Sequence, residues 1–236
     1  MNMSVTSVLF DLDGTLVDPA GAITSGIRHA LVAHGLSDPG EARVEALVGP
    51  PLQVGLRTLA GVTDENIESI IGSYRSRYEE VGMDESKVYP GILPLLEALR
   101  RKNIYVAVTT AKPVNIARLL LDRKGLTEHL DAIHGNAGEH GTMGSSKTHI
   151  VAEALSHAEL DANSCVVVGD RYYDLDAARE NSVASIGVAW GFAQGDELTQ
   201  ADQKVQTVRE LAQVLLGDEF ARSLEVEVNV MQEGAR

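Results

Sequence analysis

The chain has 236 residues, 44% hydrophobic and 23% charged, an ordinary composition for a globular protein large enough to carry a core and an inserted lobe. Its formal net charge of -14, with a pI near 4.9, repels nucleic acid and anionic membranes and admits an anionic substrate only where a local cation reverses the field. No run reaches the ~18 apolar residues of a membrane helix, and the N-terminus lacks the basic-then-apolar pattern of a secretion signal, so a soluble, cytoplasmic protein is expected.

Residues 7–10 form a short apolar strand that ends in Asp11-Leu12-Asp13-Gly14-Thr15. Alternate side chains of a strand share a side, so carboxylates at i and i+2 point together. At the C-terminal end of a central parallel strand they would stand in the crevice where open α/β sheets bind ligands. Two like charges there cost stability unless a cation or a reaction uses them.

Residues 19–87 then show helical spacing and no convincing strand, over 22–34, 41–48, 52–59 and 64–81. Proline and glycine at 38–40, 49–51 and 90–91 mark the boundaries. This insertion predicts a lobe over the end of the first strand. A helix at 90–101 leads back to strands at 104–109, 131–134, 165–169 and 184–189, separated by helices at 113–124, 147–156 and 175–181. The strands are rich in Val or Ile and mostly lack alternation, as when both faces are buried. Cys165, the single cysteine, lies in such a run and reads as a small buried hydrophobe; it excludes an internal disulfide and a thiolate-cluster metal site. The alternation predicts an α/β domain with a parallel sheet and helices on both faces. Residues 223–230 alternate like an edge strand within a stretch resembling a frayed terminus, and both readings stay open.

The chemistry gathers at the strand ends. Thr109-Thr110-Ala111-Lys112-Pro113 sets hydroxyls at a helix start, where free amides suit an anion. Gly169 is followed by Asp170-Arg171-Tyr172-Tyr173-Asp174, and Lys147 opens the helix before that strand. Taken singly, Asp18 and Asp174 read as helix caps, the threonines as strand residues and Lys147 as an exposed lysine. Taken in order, the carboxylates suit a hard Mg²⁺ ion, and lysine with hydroxyl suits phosphate oxygens. That is the composition of a phosphoryl-transfer site.

This ordered set resembles the haloacid dehalogenase-like hydrolases, nearest the phosphoglycolate phosphatase branch, whose helical cap follows the first motif. Val88-Tyr89-Pro90-Gly91-Ile92 and Gly187-Val188-Ala189-Trp190-Gly191 strengthen the likeness, which spans about 5–216. It implies a Rossmann-like three-layer core from 1–17 and 88–217 and an α-helical cap at 18–87. Residues 218–236 are left as a tail or an added edge strand. By this resemblance Asp11 is a nucleophile that forms an aspartyl-phosphate. Asp13 protonates the leaving alkoxide and then takes a proton from the attacking water. Mg²⁺ falls to Asp11, the Asp13 backbone carbonyl and Asp170, with Asp174 bound directly or through water. The phosphate falls to Asp13, Gly14, Thr110, Ala111 and Lys147. Asp11, Asp170, Asp174 and a phosphate dianion carry a formal charge of about −5, which the metal and Lys147 reduce.

Thr110 is preferred to Thr109 by its spacing to Lys112-Pro113, and Lys112 is expected at the helix start or the substrate entrance. Residues 138–146 form a longer approach to Lys147 than is usual in relatives. The implied activity is hydrolysis of a small phosphorylated metabolite, phosphoglycolate-like or a nucleotide, with no nucleic acid or membrane partner. A sugar phosphomutase and a non-catalytic phosphate binder are the alternatives. Mutases carry a cation on the cap loop, and here 47–53 has no Lys or Arg, which favours hydrolysis. Arg28, His29, His34, Arg57 and Tyr74 are candidates for reaching the site from the cap. Nothing in the sequence sets an oligomeric state.

Overall fold

The computed structural model describes residues 5–19, 21–136, 146–218 and 220–221. In chain order its strands are β1 (Ser7–Phe10), β2 (Val17–Asp18), β3 (Lys87–Val88), β4 (Tyr105–Pro113), β5 (Ala132–Asn136), β6 (Cys165–Gly169), β7 (Ala184–Val188) and β8 (Gln203–Val205). The helices between β2 and β3 are α1 (Ala22–Ala33), α2 (Glu41–Glu45), α3 (Leu52–Leu56), α4 (Ile67–Arg77) and α5 (Met83–Glu85). After them come α6 (Ile92–Arg101), α7 (Val114–Arg123), α8 (Lys147–His157), α9 (Tyr172–Glu180) and α10 (Val208–Leu216).

Six strands form a sheet in the order β5-β4-β1-β6-β7-β8, and every pairing in it is parallel. The chain moves outward from β1 through β4 to β5, then returns to the other side of β1 for β6, β7 and β8. The ends of β1, β4 and β6 therefore meet at a topological switch point, where such sheets open a crevice. Side-chain alternation along β1 separates two apolar layers. Val8 and Phe10, with Val106, Val108, Val166 and Val168, face Leu95 and Leu99 of α6, Leu120 of α7 and Leu211 of α10. Leu9, Ala107 and Val167 face the opposite side, against Val151 and Ala154 of α8 and Ala177 and Ala178 of α9. Each fully buried Val, Leu or Phe contributes about 1.5–3 kcal/mol, so a strand with two packed faces needs a nearly unbroken apolar run.

A two-residue antiparallel ladder, Val17 with Val88 and Asp18 with Lys87, closes the base of the helical insertion. Ile27, Leu31, Leu56, Ile67 and Ile70 are buried within it and belong to the same apolar cluster as Leu12, Leu16 and Val17. The insertion is thus packed directly onto the segment that follows β1.

The core strands and helices match their sequence expectation closely, and the departures have local causes. β4 runs on past Thr109 because a bulge after Thr110 brings Pro113 into register with Asn136. The helix expected over 64–81 begins at Ile67 and gives way to a π-helical turn at Tyr78–Gly82. Those expected at 41–48 and 52–59 are one-turn helices, Glu41–Glu45 and Leu52–Leu56. Asp18 lies in β2 rather than capping α1, whose N-cap is Gly21. α9 starts at Tyr172, earlier than the expected 175. The sequence reading does not anticipate β2, β3, β8 or α10; the strands are too short for periodicity, and Gln203 and Lys204 of β8 are exposed. Residues 137–145 and 222–236, including the strand-like 223–230, lie outside the described residues. Among the described residues no helix is long and apolar enough to cross a membrane.

Candidate active site

The backbone leaves β1 through Asp11, whose N–H donates to the Val168 carbonyl at 2.8 Å and keeps the residue in line with β6. It then turns back at once, with Leu16 N–H donating to the Leu12 carbonyl (3.0 Å) and Gly14 N–H to that of Val17 (2.8 Å). Gly14 has φ +88°, and a Cβ there would collide with the Asp170 carboxylate and the Phe192 ring. Only glycine meets both conditions. The Asp11 and Asp13 side chains reach one cavity between the sheet and the helical insertion, which Thr110, Ala111 and Lys112 also line.

β6 supplies the second group. Asp170 is fully buried; it accepts from the Thr15 hydroxyl (3.2 Å) and the Phe192 N–H (2.7 Å). Burial first, then the nearby Asp11 and Asp174 charges, hold its carboxyl well above the usual range. Asp174, in the first turn of α9, accepts from the Arg171 N–H through Oδ2 at 3.2 Å, so it does cap its helix. Its Oδ1 faces the Lys147 ammonium at 2.8 Å as an ion pair. Burial, and secondarily Asp11, push this carboxyl up to about 6 against the opposing pull of Lys147. Gly169 keeps the space open, because a side chain there would collide with Asp174.

Lys147, the first residue of α8, pairs with both Asp11 and Asp174. Burial lowers the affinity of its ammonium for the proton, but the two carboxylates more than offset this and the pKa is raised. Oxygens of Asp11, Asp170 and Asp174 lie within 4.8 Å of one another, and all three residues are buried. Three clustered buried carboxylates, two of them paired with the one ammonium of Lys147, fit a hard divalent cation bound through oxygen.

β4 contributes Thr110 and Lys112. Thr110 and Ala111 line the cavity. The Thr109 hydroxyl is buried, finds no hydrogen-bond partner among the described residues and is not part of that lining. The expectation for Lys112 needs correction. Its side chain does not stop at the helix start or the substrate entrance but turns inward, 2.9 Å from Asp13 and 2.8 Å from the Tyr78 hydroxyl. Burial opposes its charge, but Asp13 and the two tyrosines beside it raise its pKa. Asp13 itself is raised, by burial first, with Lys112 opposing. The two aspartates of the first motif thus have different cations: Lys147 for Asp11 and Lys112 for Asp13.

The insertion covers the cavity with residues of the 47–53 loop and with Ile71, Tyr74, Arg75 and Tyr78 from α4 and the turn after it. Of the expected cap candidates only Tyr74 lines it. Arg28 pairs with Glu41 (2.6 Å), His34 bonds to Ser73 (3.0 Å), Arg57 pairs with Asp64, and His29 is absent from the lining. Sequence reasoning missed Tyr78 and Arg75, which carry no local signal, and assigned no task to Arg171. That arginine is buried, pairs with Glu197 at 2.8 Å and donates to the Val48 carbonyl, tying the loop after β6 to the loop over the cavity. Its position directly after Asp170 was the available clue.

The family model described as haloacid dehalogenase-like hydrolase matches residues 8–188. A 5'-nucleotidase of Pseudomonas aeruginosa is 36% identical over 206 residues, 87% of this chain and 92% of that protein. A phosphoglycolate phosphatase of Agrobacterium fabrum is 31% identical over 189 residues, 78% of this chain and 80% of that protein. The crystal structure of a predicted phosphatase from Clostridium acetobutylicum superposes with a TM-score of 0.82 at 32% identity, covering 90% of this chain and 99% of that one.

Proposed function

The chain belongs to the haloacid dehalogenase-like hydrolases and is a phosphatase, and from that premise we propose that it hydrolyses a small phosphate monoester through an aspartyl-phosphate on Asp11. The observation that carries this reading is the separate pairing of Asp11 with Lys147 and of Asp13 with Lys112 in one cavity. Asp11 is the nucleophile; its oxygen bonds to phosphorus as the ester oxygen leaves. Asp13 gives its proton to that leaving oxygen and releases the alcohol. Water then attacks the phosphorus, Asp13 takes its proton, and phosphate departs with the Asp11 carboxylate restored. Thr110, the Ala111 N–H, the Gly14 turn and Lys147 hold the phosphate oxygens. Asp11, Asp170 and Asp174, with the Asp13 backbone carbonyl, would hold Mg²⁺, whose charge when bound offsets the crowded carboxylates and the phosphate.

Residues 18–87 act as a cap over a core built from 1–17 and 88–217. The cavity-facing loop 47–53 has no Lys or Arg, which supports transfer to water over return of the phosphoryl group to a bound sugar phosphate. The partly exposed Tyr74 ring, backed by Tyr78 with centroids 5.9 Å apart, lines the wall, which favours a leaving group with a planar face, such as a nucleoside. The strongly acidic chain suits a small cytoplasmic metabolite better than nucleic acid or a membrane.

The test is hydrolysis of p-nitrophenyl phosphate, followed by a panel of phosphate esters. Asp11→Asn is expected to abolish turnover and to take up no phosphate on the protein by mass spectrometry. Near-normal turnover by purified, folded Asp11→Asn would end this reading.

A further inference from the structure

The hydrolytic reading uses Lys112 only to set Asp13 apart from Asp11 and gives it no part in the steps themselves, although few groups in the site are as firmly held. Its backbone N–H donates to the Thr110 hydroxyl at 3.2 Å, fixing the start of the side chain against β4. Its side chain is 8% exposed, and the ammonium lies 3.0 Å from one Asp13 oxygen and 2.9 Å from the other, so the carboxyl cannot rotate without losing a contact. The third direction of the ammonium is taken by the Tyr78 hydroxyl at 2.8 Å. Tyr78 comes from the helical insertion, Lys112 from β4 and Asp13 from the loop after β1. Three separate parts of the chain therefore meet at one ammonium.

The tyrosine is itself fixed. It is 2% exposed and opens the π-helical turn Tyr78–Gly82. Tyr74 stacks on it from one turn earlier. A Cβ at Gly82 would fall 2.8 Å from the Tyr78 ring and 3.2 Å from the Ala22 side chain, so glycine there makes the room the ring occupies. Surplus π-turns such as this often mark functional positions.

We propose that Tyr78 and Lys112 are positioning residues for proton transfer by Asp13: the insertion's tyrosine holds the lysine ammonium, and the ammonium holds the Asp13 carboxyl toward the leaving-group oxygen. Lys112 and Tyr78 keep their own protons throughout; the only proton moved to the leaving group is that of Asp13. The proposal rests on the reading of Asp13 as acid and base. It gives the helical insertion a task in the chemical step, beyond shaping the cavity.

The test compares p-nitrophenyl phosphate with phenyl phosphate, two esters of the same ring. The p-nitrophenolate leaves readily without a proton, whereas phenolate, a far stronger base, benefits from one. Single-turnover rates at saturating Mg²⁺ are measured for wild type, Asp13→Asn, Lys112→Met, Lys112→Arg and Tyr78→Phe. Asp13→Asn sets the scale by losing far more on phenyl phosphate than on p-nitrophenyl phosphate. Lys112→Met is expected to show the same bias, about tenfold greater loss on phenyl phosphate. Lys112→Arg recovers part of it. Tyr78→Phe keeps the ring and its packing and shows a smaller bias of the same sign, which preserves the test should Lys112→Met fail to fold. Equal losses on both esters in the Lys112 and Tyr78 variants, with the bias intact in Asp13→Asn, would overturn the positioning role alone. Absence of the bias in Asp13→Asn would overturn the acid–base reading and this proposal with it.

Discussion

Lys147 and Asp11 are 136 positions apart in the chain and meet as a buried ion pair. α8 carries the lysine on one side of the sheet and β1 delivers the aspartate from its centre, so the pair exists only once the sheet has formed. The same ammonium touches Asp174, so one cation is shared by two of the three clustered carboxylates.

Replacing that lysine should therefore act on chemistry more than on binding of the metal. Lys147→Ala removes the cation beside Asp11 and the proposed phosphate site, and kcat is expected to fall about 10²–10³-fold. Steady-state kinetics at saturating Mg²⁺ check this. A loss below tenfold would remove Lys147 from the site.

The carboxylate triad also predicts a pH-dependent response to Mg²⁺. Burial raises the Asp174 carboxyl from 3.8 to about 6 in the folded, metal-free protein. The folded state then binds a proton more tightly than the unfolded chain. The associated stability is complete below the unfolded pKa and is lost as pH rises through the folded one. Metal binding needs the deprotonated form. The Tm gain on adding Mg²⁺ should be larger at pH 7.5 than at pH 5, as read by thermal melts; equal gains at both would contradict it.

Gly14 should be far less tolerant than another glycine of similar φ. Gly14→Ala combines left-handed backbone with collision against Asp170 and is expected to cost about 2–5 kcal/mol. Gly35, at φ +73°, has open space where a Cβ would stand, with no atom within 4 Å, so Gly35→Ala incurs backbone strain alone, about 1–2 kcal/mol. Urea unfolding of the two variants measures the difference. Equal costs would show that the Asp170 contact relaxes freely.

Arg171 provides a test of the link between the β6 loop and the loop over the cavity. Arg171→Met strands Glu197, whose side chain is 17% exposed, and leaves the Val48 carbonyl without this donor. A loss of about 3–5 kcal/mol is expected, together with a raised KM because the 47–53 loop loses its tether. Glu197→Gln keeps a hydrogen-bond acceptor and should cost about half as much or less. Unfolding curves and KM for one phosphate ester are the measurements; an unchanged KM in Arg171→Met would show that the tether does not shape the cavity.

Much of this molecule can be read from local sequence because its determinants are local. In the run at 7–10, Val8, Leu9 and Phe10 supply apolar side chains to both faces of the strand, and Asp11 to Gly14 follows it in an arrangement that a sharp glycine turn permits. The order of Thr110, Lys147, Asp170 and Asp174 along the chain is likewise set by successive elements of a parallel sheet. The two-residue ladder of β2 and β3 and the three-residue β8 are different: they are too short to impose a period and are held by neighbours rather than by their own composition.

What the sequence determined by itself is therefore the α/β class and the motifs that set carboxylates, hydroxyls and lysines at successive strand ends, since periodicity and spacing act over a few residues. Tertiary structure decided which cation serves which carboxylate. Lys112 meets Asp13 across 99 positions and Tyr78 across 34, and an ion pair at such separation depends on how β1, β4 and the helical insertion pack. Burial, which strengthens those pairs and raises the Asp13 and Asp174 carboxyls, is a property of the assembled layers and has no signature in any single segment.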